Sequence, residues 1–339
     1  EANYLLIVSH IKQKQYAKAE ELIEQSLKIS PDDSKLLNLQ ALVEQLNGNL
    51  DKAIIRYQTI VKKDKTNIPA LMGLARIYVV QANWKKAKQR FNQVLEINPN
   101  ELKAYLGLAA IAEKQGKPEA AEQYFWDALK QTQNNISETL ILADLLTRWY
   151  RGKKQPEKTL DLANTLVKQN PDSIALRSFL AKAQILNEQY KAAERTLTKL
   201  IRLNRNDVKH RLLLAQLIIK EGKRTDEALI LINEALTINN YTLSIYTLKV
   251  KILVSQKDYE QAINLAQSIQ LKFPKVNTGK LLEAEINRIQ KKFDKSIALY
   301  QEAYTIQPDR KIFSTIINIL LSQQEADKAI VLLTEKVNN

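Results

Sequence analysis

His10 and His210 are the only histidines in 339 residues, and imidazole is the side chain best suited to acid–base chemistry or metal binding near neutral pH. About 200 residues separate them, and no carboxylate cluster at ligand spacing accompanies either, so the pair does not read as a metal site. Cysteine is absent, which removes disulfides, thiolate ligands and thiol nucleophiles. Gly152-Lys153-Lys154 lacks the upstream glycine and downstream Ser or Thr of a phosphate loop, and no Ser or Thr sits in a nucleophile elbow. The adjacent carboxylates Glu20-Glu21 and Asp32-Asp33 suit solvated faces and helix caps, where the helix dipole favours negative charge. A chain without catalysis, cofactor or metal is the expectation.

What remains is surface, and the elements that carry it are helices. The residues are 45% apolar and 26% charged, with 6% aromatics, seven Gly and eight Pro, a balance that favours helices joined by short turns over strands. At this length the choice lies between two domains and a repeat array. Fifty-one Lys and Arg against 37 Asp and Glu leave a net +14. No basic run exceeds three residues and none is interleaved with aromatics, so the charge reads as lysines on solvated helix faces rather than a nucleic-acid surface. Weak contact with an anionic polysaccharide or a membrane surface stays open. No run approaches the ~18 apolar residues of a membrane span. The sequence begins inside a repeat at Glu1, without an initiator Met or signal-peptide pattern, and is expected to be a piece of a longer protein.

The stretch from Ile68 to Pro99, IPALMGLARIYVVQANWKKAKQRFNQVLEINP, holds two helical periodicities that meet at a turn and close on Asn-Pro. Its closing segment recurs as LKISPDD (27–33), LEINPNE (95–101), LVKQNPDS (166–173), IQLKFPKV (269–276) and YTIQPDR (304–310). Pro31 and Pro99 are 68 residues apart, twice the 34 between Pro274 and Pro308. With Lys65, Gln133, Arg205 and Asn240 in the same slot, units end near 31, 65, 99, 133, 171, 205, 240, 274 and 308. A tenth hairpin, cut short, runs from Lys311 to Val337. A period of this length means hairpins that each bury a face on the next, so residues 1–339 are expected to form a single continuous array.

Small residues recur inside the period. The first helix of each unit, helix A, carries Ala41, Ala75, Ala109, Ala143, Ala181, Ala215 and Ala284; the second, helix B, carries Ala19, Ala53, Ala87, Ala121, Ala193, Ala228, Ala262, Ser296 and Ala329. Helices crossing at about 8–10 Å interdigitate only where the contact point is small. On these positions the chain resembles the tetratricopeptide repeat, which implies an all-α, right-handed superhelical solenoid of about ten helical hairpins with helices A lining a concave groove. Tyr57, Tyr78, Phe91, Phe125 and Tyr300 are expected to fill the gaps around the small residues. His10 takes the slot of Tyr78 and is expected to be partly buried, whereas His210, early in helix A of repeat seven, is expected to be solvated. Thr159 replaces the helix B alanine of repeat five. The extra residues of TRWYRGKKQPEK (147–158) are expected to form a lengthened surface turn that covers its own Trp149 and Tyr150. The competing reading makes that turn, with Arg151, Lys153 and Lys154, a partner contact.

Helix A residues one turn apart form two rows along the implied groove. One row contains Arg76, Asp144, Lys182, Gln216, Lys251 and Glu285; the other contains Asn38, Met72, Leu106 and Leu140. Apolar anchors beside charged selectors fit a protein or peptide partner, held in extended form or as a helix. The paired Lys and Asn of the clamp with which chaperone-binding relatives hold an acidic C-terminus do not coincide in one repeat.

The C-terminal third is similar to a narrower group, the PEP-CTERM-system repeat lipoproteins called PrsT. The likeness rests on Ala262-Ile263 with Leu265-Ala266, on Gln270-Leu271-Lys272-Phe273-Pro274, and on Gly279 followed by Leu282-Glu283-Ala284. It implies a periplasmic scaffold for exopolysaccharide export and protein sorting, anchored at the outer membrane through a lipidated cysteine outside this sequence. A scaffold of cellulose, alginate or pilus assembly and a cytoplasmic peptide-binding adaptor are the alternatives.

Overall fold

The computed structural model describes residues 2–222 and 224–337. Among them are twenty α-helices and no strand. Two compact units divide the chain, Glu1–Ser173 and Ile174–Asn339. The first contains α1 Ala2–Lys12, α2 Tyr16–Ile29, α3 Ser34–Leu46, α4 Leu50–Lys63, α5 Ile68–Val80, α6 Trp84–Ile97, α7 Leu102–Lys114, α8 Pro118–Gln131, α9 Ile136–Gly152 and α10 Pro156–Gln169. The second contains α11 Ile174–Leu186, α12 Tyr190–Leu203, α13 Val208–Glu221, α14 Thr225–Ile238, α15 Leu243–Ser255, α16 Tyr259–Lys272, α17 Thr278–Ile289, α18 Phe293–Ile306, α19 Arg310–Ser322 and α20 Ala326–Val337. Odd-numbered helices are the A members of the hairpins and even-numbered ones the B members. Within each unit every helix packs on its neighbours in the chain, and several helices A also touch the next helix A, as α3 does α5 and α13 does α15.

One turn geometry joins A to B at nine junctions among the described residues. The carbonyl of a residue near the end of helix A accepts from the amide five positions on, as in Asn83 to Tyr78 at 2.8 Å, Lys117 to Ala112 at 2.9 Å and Gln189 to Gln184 at 2.8 Å. The residue between them must then adopt positive φ. Glycine fills that position at Gly48, Gly116 and Gly222, but Lys14, Ala82, Lys154, Glu188, Lys257, Lys291 and Gln324 hold φ between 53° and 63° with a side chain in place, a conformation that crowds Cβ. The B-to-A junction relies on short polar side chains instead. Asp64, Asn98, Asn204 and Asn239 each accept from the amide two residues on, the Asx turn. This explains how Lys65, Arg205 and Asn240 replace the proline without loss of the junction. The next helix is then capped by Asp33, Asn67, Asn135, Asp207 or Asp309.

The expected small residues are the contact points. All seven helix A alanines are at most 2% exposed, and the eight helix B alanines at most 1%. Ser296 keeps the slot polar by donating to the Ala284 carbonyl at 2.9 Å, whereas the buried Thr159 hydroxyl finds no partner among the described residues. Tyr57, Tyr78, Phe91 and Tyr300 are buried around these points, and Phe125 is partly so.

Repeat five corrects the expectation of a lengthened turn. Its extra residues extend α9 to 17 residues, against 13 in α5 and α7, which adds about one helical turn. The junction keeps the common geometry, with Gln155 donating to the Tyr150 carbonyl at 2.9 Å. Tyr150 is 1% exposed and donates to Glu122 at 2.7 Å. Trp149 packs on Phe125 at 6.0 Å between ring centres, and Lys153 lies over Trp149 while pairing with Glu113 at 3.0 Å.

Candidate functional site

Of the ten groove residues read from the sequence, three line one cleft. Asn38, Met72 and Arg76 meet in a cleft of about 380 Å³ in the first unit, together with Tyr4, Leu39, Leu42 and Tyr57. Leu106 on α7 and Leu140 on α9 are partly buried, while Asp144, Lys182, Gln216 and Lys251 stand exposed on α9, α11, α13 and α15. Glu285 is already engaged: Arg288 donates to it at 2.8 Å and so does the Tyr300 hydroxyl at 2.8 Å. The Arg288 bond is the main reason its carboxyl titrates below the usual carboxylate range.

The cleft is assembled by the repeat geometry. Asn67 caps α5 by accepting from Ala70 at 3.1 Å, and the same side-chain oxygen accepts from the Asn38 amide at 3.0 Å, tying α3 to the start of α5. Asn38 also donates to the Ser34 carbonyl at 2.7 Å. Both amide protons of Asn38 are thereby used, and its side-chain oxygen is left buried without a donor among the described residues. Such an oxygen is an acceptor awaiting an N–H or O–H, because burial without a partner is costly.

Tyr57 arrives from the layer behind. It belongs to helix B of repeat two, and its ring lies over Gly73 of α5, where a Cβ would come within 2.4 Å of the ring carbon that bears the hydroxyl. Only glycine lets the phenol through at that point. Burial pushes the Tyr57 phenol up to about 12, against the opposing pull of the Arg76 guanidinium hydrogen-bonded to it. Arg76 is exposed and makes no ion pair among the described residues. Phe91 over Gly107 repeats the arrangement one unit on, with an apolar ring and a clearance of 2.3 Å. The cleft thus offers an apolar floor in Met72 and Leu39, an unsatisfied acceptor in Asn38 and a free cation steadied by a phenol.

A second polar cluster lies in the other unit and was not foreseen. His210, expected in solvent, is 4% exposed. Its Nδ1 meets Asp207 Oδ2 and its Nε2 lies 2.8 Å from Ser178 Oγ. Ser178 holds on α11 the place that Asn38 holds on α3, and Asp207 caps α13 as Asn67 caps α5. His10 by contrast is partly buried as expected, bonded through Nδ1 to Gln15 at 2.7 Å. Arg148 is a further residue missed: it stands one turn beyond Asp144 on α9, exposed on the same face. Among the described residues no group of three or more His, Asp or Glu is arranged to hold a metal ion, and no helix is long and apolar enough to cross a membrane.

Two models of the tetratricopeptide repeat match the chain, one over residues 46–110, 81–142 and 150–217, the other over 4–68 and 247–311. No curated protein matches it significantly. Among solved structures it is similar to a tetratricopeptide repeat protein from Parabacteroides merdae, at 13% identity and TM-score 0.33, over 95% of this chain and 100% of that one. MamA (41-end) from Desulfovibrio magneticus is similar at 15% identity and TM-score 0.40, over 49% of this chain and 94% of that one. YrrB, a TPR protein with an unusual peptide-binding site, matches at 14% identity and TM-score 0.40, over 59% of this chain and 97% of that one.

Proposed function

Because this chain belongs to the tetratricopeptide repeat family, whose models match most of its length, we propose that it is a non-catalytic scaffold that captures a protein partner through a peptide segment laid in the α3–α5 cleft. The observation that carries this reading is the Asn38 side-chain oxygen, buried and without a donor beside the free guanidinium of Arg76. A peptide backbone N–H satisfies the first, a carboxylate the second, and an apolar side chain packs on Met72. Arg76 selects for acidity because an arginine fork matches a carboxylate in geometry as well as charge.

The test is selection of a displayed random-peptide library on the immobilised protein, with Arg76→Glu and Asn38→Leu variants in parallel. Peptides combining an acidic residue with a nearby apolar one are expected to enrich on the wild type and not on the variants. Equal enrichment on all three would place the interaction elsewhere.

For the setting of this scaffold, the likeness of the C-terminal third to PrsT lipoproteins supports an envelope location with a role in exopolysaccharide export. Gln270, part of the phrase that carries the likeness, bonds to the Pro274 and Val276 carbonyls and accepts from Lys280, with Gly279 pressed on its backbone. That phrase is therefore tied to a particular junction between α16 and α17. Cell fractionation of the full-length protein tests the location, and recovery in the soluble cytoplasm would sink it.

A further inference from the structure

The charge of the chain is unevenly spread. Between Ile174 and Arg224 there are twelve Lys and Arg against four Asp and Glu, so this one segment supplies a surplus of eight of the net +14. Four of these cations, Lys191, Arg195, Lys199 and Arg202, stand exposed in single file along α12. They line a groove of about 1220 Å³ between that helix and the turn from α13 into α14. None makes an ion pair among the described residues. The cations of α6 also lack a carboxylate partner, but they are held against neutral side chains of the chain itself: Lys86 lies over Tyr78, Lys88 bonds to Gln115 and Arg90 to Gln93.

Carboxylates near enough to neutralise the file are withheld from it. Glu194 sits between Lys191 and Arg195 in sequence, but both its oxygens are taken by Arg224, at 2.8 and 2.9 Å. The same guanidinium binds Glu221 at 2.9 Å and Glu227 at 3.2 Å. The Arg224 bond is the main reason Glu194 titrates below its ordinary range. Arg224 thus acts as an internal counter-ion, and the four cations of α12 face the groove uncompensated.

We infer that this groove binds an acidic peptide segment of a partner protein, at a site separate from the α3–α5 cleft. Successive cations on one helix face are about 6 Å apart. Side chains on one face of an extended peptide are about 6.7 Å apart, so alternating carboxylates meet the file one for one. No aromatic side chain lines the groove, which removes the stacking surface that bases need and sugar rings favour. A flat anionic membrane suits a convex, uniformly basic face, and here the charges lie in a groove walled by Glu194 and Glu221.

The experiment is fluorescence anisotropy of the whole chain with a labelled peptide alternating Glu and Ser over about a dozen residues. Saturable binding that weakens steeply with salt is expected. Lys191→Gln/Arg195→Gln/Lys199→Gln should weaken it by about tenfold or more, with unchanged circular dichroism. Arg224→Gln should weaken it too, by freeing Glu194, and adding Glu194→Gln should restore it. A purely structural Arg224 would give no such rescue. Because the α3–α5 cleft would also attract an acidic probe, the series is repeated in the Arg76→Glu background, where the triple variant should cause the same loss. Unchanged binding in the triple variant in that background, or tighter binding of phosphatidylserine vesicles, polygalacturonate or oligothymidylate, would overturn the assignment.

Discussion

The Nε2 atom of His210 lies 2.8 Å from the Oγ of Ser178, 32 residues away on the preceding helix A. With Asp207 on the other ring nitrogen, the three residues stand in the order of an acyl-transfer triad. At 5% exposure for Ser178 and 4% for His210, however, the hydroxyl offers no face to a substrate. The cluster joins α11 to the cap of α13, the task that Asn38 and Asn67 perform between α3 and α5.

Removing the imidazole should therefore act on stability. His210→Ala leaves the Ser178 hydroxyl without its partner and opens a cavity, and a loss of about 2–4 kcal/mol is expected. Urea unfolding followed by circular dichroism measures it. A change within about 0.5 kcal/mol, the range of an ordinary surface substitution, would show that the clamp contributes nothing.

The junction between α5 and α6 predicts a gain. Ala82 holds φ at 53°, where its Cβ costs roughly 1–2 kcal/mol and a glycine pays only in unfolded-chain entropy. Ala82→Gly should raise stability by about 0.5–1 kcal/mol, and Gly116→Ala at φ 68° should lower it by a similar amount. Paired thermal melts of the two variants test this, and a shift of both in one direction would contradict it.

Glu122 supplies a pH dependence. Burial alone would raise its pKa, but the bonds from Lys158 and Tyr150 outweigh burial and hold it below its ordinary 4.5. A carboxylate depressed on folding contributes stability that is complete above its unfolded pKa and is lost as pH falls through the folded value. Lys158→Met should therefore move the acid unfolding of the wild type to higher pH, readable by circular dichroism during acid titration. An unaltered acid limb would remove Lys158 from the account.

The period, the alanine contact points and the aromatic fillers were legible because each repeats, so one register explains many positions. His210 was not, because an early helix A position reads as solvated unless its neighbours across the repeat are known. The signal was present in Asp207 three residues before it and in Ser178 one repeat back, but neither stands out alone. The α9 extension was hidden for a different reason: four added residues complete about one turn and leave the helical period unbroken up to Gly152. Groove residues were legible as a set, yet the cleft depends on Tyr57, a helix B residue that the pattern assigns to packing.

Gly73 and Gly107 are windows in the A layer, and the other helices A carry a side chain at that place, among them Leu39, Phe179 and Leu248. Where a window exists, what a partner reads at the surface is written partly by the layer behind it. Recognition by this chain can therefore be redrafted from the back: a change as small as Tyr57→Phe takes a hydroxyl from Arg76 while every outward-facing residue stays the same.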